Sequence, residues 1–229
     1  MIKVSESWKR AYPGAVVGVL VMRGARNPDR HEGLQAIKTQ TEVALRERYF
    51  SHGKEALKAE PVIAAYNGYY GRFKKSYHVA LQLESVIWKG RPIPSVSALV
   101  QAMFMAELKN MILTAGHDLS AVEPPLELGI AEAGESYVML SGEERGLKEG
   151  DMRIKDAKGI ISAVVYGPDR RTKITPKTKD ALFVVYAPAG VGEARVRSHL
   201  EDIRGFVRIV SPEAVEERLE THVAEGVNP

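Results

Sequence analysis

Residues 15–22 read AVVGVLVM, a valine-rich apolar run bounded by Pro13-Gly14 and Arg23-Gly24. A run of that length between turn residues predicts a buried strand. The period then changes. Over residues 31–51, Leu34, Ile37, Val43, Leu45 and Phe50 recur among Lys, Arg, Glu and Gln with no internal proline, which predicts a surface helix entered through Asn27-Pro28-Asp29. A second helix is predicted after Pro61 in VIAAYNGYYGRF, where Tyr66, Tyr69 and Tyr70 crowd one region. A third covers residues 78–89, with Val79, Leu83, Val86 and Ile87 ahead of a stop at Gly90. Residues 91–94, RPIP, form an extended connector because each proline turns its predecessor away from helix.

Residues 95–111 are apolar nearly all round, with Val96, Leu99, Val100, Met103, Phe104, Met105 and Leu108, so this helix must be buried on most sides. From Leu126 onward short runs (LELGIA, SYVML, DMRIKD, IISAVVY, ALFVVY) alternate with Gly, Asp and Pro and predict a sheet. The chain returns to helix over residues 193–204. A strand over residues 206–210 and a final helix opened by Ser211-Pro212-Glu213 are expected to follow. The expected fold is α+β, a layered β-sheet core packed with helices and preceded by a strand and several helices. The connector divides it into residues 1–90, a strand and helical portion packed on the core, and residues 91–229, the core itself with its C-terminal helices, the two forming one compact unit.

Composition removes several classes of function. The 229 residues contain no cysteine, so a disulfide framework, a thiolate metal site and a cysteine nucleophile are excluded. The first ten residues carry Lys3, Glu6, Lys9 and Arg10 and lack the apolar core of a secretory signal. The longest apolar stretches fall short of a bilayer span, so a cytoplasmic protein without membrane contact is expected. The six histidines are scattered with no metal-ligand spacing, so no metal is expected; no phosphate loop or nucleophile elbow occurs, and no cofactor is expected.

Three places carry candidate chemistry. Glu107 is the first acidic residue after the long apolar run, and Asn110 follows three positions on, on the same helix face. If that helix end meets a pocket, partial burial raises the carboxyl's pKa and suits it to general-base work; if it emerges into water beside Lys109, Glu107 is merely solvated. His117 and Asp118 fall in one loop after it, either as a pair that orients water or as a turn and cap before Ser120. The formal charge of +3 is small, yet residues 170–179 hold five basic side chains (Arg170, Arg171, Lys173, Lys177, Lys179) and no acidic one. With Thr172, Thr175 and Thr178 they offer groups that contact phosphate oxygens, or simply a solvated loop. Tyr66, Tyr69 and Tyr70, beside Arg72, Lys74 and Lys75, either stack on bases or pack a helix interface.

Residues 91–187 resemble the editing module of the phenylalanyl-tRNA synthetase beta subunit. The resemblance rests on RPIPSVSALV, on the spacing from Val100 to Asp118, on ELGIAEAGESYVMLSGEERGLKEGDMRIKD, and on VVYGPDRRTKITPKT followed by ALFVVYAP. Residues 15–89 are similar to what precedes this module in its stand-alone relatives. The resemblance implies a tRNA partner, bound at its aminoacylated end, with no DNA partner. It also implies hydrolysis of tyrosine wrongly attached to the phenylalanine tRNA, a hydroxyl that an apolar pocket alone rejects weakly. At the positions matching the family's site asparagine, histidine and glutamate this chain has Phe104, Ala115 and Tyr186. An aminoacyl-tRNA deacylase therefore has to orient water with Glu107, or with His117 and Asp118, while Asn110, Tyr166, Arg170, Arg171, Lys173, Thr175 and Thr178 hold substrate. This requires the helix end at Glu107 and the arginine-rich loop to border one cleft. The alternatives are a non-catalytic RNA-binding or assembly module and a pocket protein for a small amino-acid-like ligand.

Overall fold

The computed structural model describes residues 2–225. The valine-rich run is its spine. After β1 (Ile2–Val4) and α1 (Glu6–Ala11), capped by the Ser5 hydroxyl accepting from Trp8 N–H at 3.2 Å, β2 (Val16–Arg23) is buried at every residue but the last. Five helices follow: α2 (Glu32–Tyr49), α3 (Gly53–Lys58), α4 (Pro61–Arg72), α5 (His78–Trp88) and α6 (Ala98–Asn110). The strands come next: β3 (Thr114–Asp118), β4 (Leu126–Ile130), β5 (Ser136–Val138), β6 (Glu144–Gly146), β7 (Met152–Asp156), β8 (Gly159–Ala163), β9 (Gly167–Pro168) and β10 (Ala181–Ala187). The described chain closes with α7 (Glu193–Val210) and β11 (Val215–Val223).

Two principal sheets and a helical layer stack on one another, so the fold is α+β. The antiparallel sheet β11-β2-β10-β3 lies between them, the five-stranded sheet β1-β4-β7-β8-β9 covers one of its faces, and β5-β6 form a small hairpin. Strand alternation assigns the faces. Gly18 on β2 points at α7, where a Cβ would stand 2.5 Å from Val196 Cγ1 and 2.9 Å from Leu200 Cδ1. Tyr186 on β10 points the other way and meets Ser162 Oγ of β8 at 2.5 Å. Buried side chains from Ile2 to Ala224 form one contiguous core. Gly18→Ala should therefore overpack the sheet–helix contact and destabilise the protein by about 1–3 kcal/mol, read as a lower urea midpoint at unchanged slope.

Three expectations are corrected. Residues 206–210 are the last turns of α7, not a strand: Phe206, Val207 and Val210 continue the buried face begun by Val196, His199, Leu200 and Ile203. Gly205 does not interrupt it, because a single glycine costs a helix only about 1 kcal/mol and the buried face outweighs that. The Ser211-Pro212-Glu213 segment makes a turn, and the expected final helix is the edge strand β11, paired with β2 over its length with a bulge between Glu216 and Arg218. The runs after Leu126 do not make one sheet either, because ALFVVY pairs with β2 and β3.

The three tyrosines of α4 are interior groups, which removes them as base-stacking platforms. Tyr66 Oη donates to Tyr186 O at 2.6 Å, Tyr69 to Asp151 Oδ1 at 2.5 Å, and Tyr70 to Val164 O at 2.7 Å. Tyr66 also stacks on Tyr77 at 4.2 Å between centroids. Each phenol buries its ring and satisfies a backbone or carboxyl group at the end of the sheets.

Candidate functional site

Helix α6 leads directly into β3, and the junction opens a cleft of about 390 Å³ beneath the loop that follows β8. From α6 it is lined by Val100, Met103, Phe104 and Glu107, which share one face at spacings of three and four. Leu113, Thr114 and Gly116 form the floor, and Gly167, Pro168, Lys173 and Ile174 the opposite wall, with His78, Gln82 and Leu140 at the mouth. Glu107 is 2 % exposed. Its Oε1 accepts from Thr114 N–H at 2.7 Å, and its other oxygen has no hydrogen-bond partner among the described residues. Burial pushes the carboxyl up from 4.5 to about 8, and the Thr114 bond opposes this only in part.

That shift has a consequence for stability. The folded state holds a proton on Glu107 that the unfolded chain has lost, and the same holds for Asp151, which burial raises from 3.8 to about 7. Their stabilising contribution is complete at acid pH and disappears as pH rises to about 8. His117 and His199, which burial depresses to about 3, act in the opposite sense but only below their ordinary 6.5. Between pH 6.5 and 8 the carboxyls therefore dominate. Stability should fall by about 1 kcal/mol per pH unit for each carboxyl still protonated, and Glu107→Gln should flatten the decline in thermal melts.

His117 does not sit in a loop. It is part of β3, opposite Leu182, on the face away from Thr114 and Gly116, so its ring turns away from the cleft. Nδ1 lies 2.7 Å from Thr172 Oγ1, while Nε2 is buried without a partner among the described residues. Asp118 points elsewhere, accepting from Ser120 N–H at 3.0 Å and from Thr178 Oγ1 at 2.6 Å. The two do not form a pair. Asn110 is likewise separated from Glu107: its amide donates to Asp202 Oδ2 at 2.8 Å, on α7.

The arginine-rich loop splits into two sets. Arg171 ties it to the β7–β8 hairpin, donating to Asp156 Oδ1 and to Ala121 O, both at 2.8 Å. Thr172 is buried against Asp169, and Thr178 accepts from Thr175 N–H at 2.9 Å, so these hydroxyls hold the loop's shape. Arg170, Lys173, Lys177 and Lys179 face solvent, and Lys173 borders the cleft. Tyr166 is half-buried, with Lys75 and Arg145 at 5.5 and 5.6 Å from its ring centroid. The structure thus gathers Glu107 and Lys173 on one cleft and disperses the other candidates.

Sequence reasoning missed Thr114, Gly116, Met103 and Ile174. The apolar stripe of α6 was visible, but it read as core. Of the three positions matching the family's polar residues, Phe104 borders the cleft, whereas Ala115 and Tyr186 lie on the other face of the four-stranded sheet. Among the described residues no cluster of His, Asp or Glu is arranged to hold a metal ion, and no helix is long and apolar enough to cross a membrane.

Residues 65–224 match the family model described as "B3/4 domain", a span that contains every residue of the cleft. Among solved structures, an N-terminal fragment of the phenylalanyl-tRNA synthetase beta subunit from Pyrococcus horikoshii aligns with a TM-score of 0.48 and 14% identity. The alignment covers 95% of this chain and 54% of that fragment, so the chain spans about half its length. No curated protein sequence matches.

Proposed function

Because the chain belongs to the B3/4-domain family, we propose that its cleft receives the aminoacyl end of a charged tRNA and hydrolyses the ester of a misattached amino acid. The observation that carries this reading is Glu107, a buried carboxyl with one oxygen bonded to Thr114 N–H and the other free at the cleft. In its ionised form it takes a proton from water as that water attacks the ester carbonyl carbon. The tetrahedral intermediate then collapses, the bond from carbon to the ribose oxygen breaks, and that oxygen takes the proton as it leaves. A base that titrates at about 8 gives a rate that climbs with pH and levels above that value. Release of amino acid from a panel of mischarged tRNAs, followed from pH 6 to 9, tests this; a flat or falling profile counts against Glu107 as base.

Lys173, exposed at the cleft, and Arg170, exposed on the same loop, are assigned to the phosphates of the tRNA end. Charge reversal at both should weaken tRNA binding and reduce the salt dependence by a slope of about 0.7 for each phosphate no longer engaged, measured by filter binding across a salt series. Arg171→Glu should instead destabilise the protein, since Arg171 pairs with the buried Asp156 carboxylate. Unchanged affinity in the Arg170/Lys173 double variant would remove the loop from the interface.

A second reading, binding without hydrolysis, is favoured by one observation: at neutral pH the Glu107 carboxyl is largely protonated, so little of it acts as a base. Tight binding of charged tRNA with no release at any pH separates the two.

A further inference from the structure

Resting on the hydrolytic reading, we propose that the Thr114 hydroxyl is a second catalytic group of this site, donating to the carbonyl oxygen of the bound ester while Glu107 activates the water. Three neighbouring side chains determine where its hydrogen points. The Asp202 carboxylate only accepts, so the Asn110 atom 2.8 Å from it is the amide nitrogen. The same nitrogen lies 3.2 Å from His199 Nδ1 and has a second hydrogen to give, which makes Nδ1 an acceptor. Burial depresses His199 to about 3, so near neutral pH the ring carries a single proton, and that proton is on Nε2. Nε2–H then donates to Thr114 Oγ1 at 2.7 Å. The hydroxyl's own hydrogen is turned away from His199 and has no acceptor among the described residues.

This unspent donor belongs to a residue that lines the cleft. Thr114 also holds Glu107, its backbone N–H donating to Oε1 at 2.7 Å, so base and donor are mounted on one residue of β3. Ester hydrolysis needs that pairing: a group that activates water, and a donor about 3 Å from the oxygen that becomes negative. As water adds, the carbonyl's π electrons move onto its oxygen and the hydrogen bond from Thr114 strengthens. The hydroxyl keeps its proton throughout. When the oxygen's electron pair re-forms the carbonyl and expels the ribose oxygen, the bond relaxes. For a donor that is 5% exposed such a contact is worth more than in water. Asn110 and His199 do not meet the substrate. They are positioning residues, and the relay brings Asn110 into the site without any contact with Glu107.

The test measures amino-acid release from mischarged tRNA by Thr114→Val, which keeps the side chain's shape and the backbone N–H on Glu107. Its kcat should fall about 100-fold with KM within a few-fold of wild type, because the lost bond strengthens only in the transition state. Thr114→Ser retains the hydroxyl and should recover most of that loss. Long-range proton–nitrogen NMR spectra of the wild-type protein, labelled in its histidine rings, should place the His199 proton on Nε2. This readout depends neither on activity nor on how well the valine variant folds. A proton on Nδ1 overturns the proposal, since Thr114 would then donate to the ring. Release by Thr114→Val at the wild-type rate also overturns it, and an inactive Glu107→Gln in the same assay would leave the hydrolytic reading standing. No release by the wild-type protein from any mischarged tRNA removes both.

Discussion

Glu107→Gln lowers the rate of amino-acid release from mischarged tRNA by at least about 100-fold, the ordinary contribution of a positioned general base. Glutamine keeps the shape of the side chain, and its amide oxygen still accepts from Thr114 N–H. What it cannot do is take a proton from water. The variant should fold, because it removes a buried group whose ionisation opposes the native state above neutral pH. Loss of activity together with equal or higher melting temperature at pH 8 identifies a chemical role. Activity within a few-fold of wild type would show that another group activates the water.

Asp156→Ala destabilises the protein by about 3–5 kcal/mol, the largest expected effect on folding outside the hydrophobic core. Its carboxylate accepts from Glu123 N–H at 2.9 Å, from Lys158 N–H at 2.9 Å, from Gly159 N–H at 3.1 Å and from Arg171 Nη2 at 2.8 Å. Alanine leaves those donors unpaired, each at a cost of about 1–3 kcal/mol less whatever water recovers. The Arg171 anchor fails at the same time, so the loop bearing Lys173 and Ile174 loosens and ligand affinity falls with stability. Urea titration reads the first effect and filter binding of charged tRNA the second. A loss below about 1 kcal/mol would mean that water replaces the carboxylate at little cost.

The parts of the molecule legible in the sequence are those whose periodicity is set locally. The valine run of β2 lies between turn residues, and α2, α4 and α5 carry helical spacing and clear stops; each appears where the pattern placed it. The stripe Val100, Met103, Phe104 and Glu107 was also visible, but a chain of apolar residues on a helix looks the same whether it faces core or cleft. What the sequence could not reveal depends on partners distant in the chain. Residues 215–223 carry charges and no strong strand signal, and they become β11 because β2 offers an unpaired edge. Arg171 reads like Arg170 until Asp156 is found buried beside it. His117 reads as a loop residue until β3 is seen to pair with β10, which turns the ring away from the cleft. The tyrosines of α4 look like a stacking surface until Asp151, Val164 and Tyr186 arrive to accept their hydroxyls.

That this cleft, and no other, is the aminoacyl site is decided by a crystal structure with an adenosine bound that carries an amide-linked amino acid at its 3′ position. The amide is expected within hydrogen-bond distance of the free Glu107 oxygen, and the adenosine toward Lys173. Ligand density instead in the basic groove that Arg26 shares with Lys177 and Lys179, with the α6 cleft unfilled, would refute the assignment.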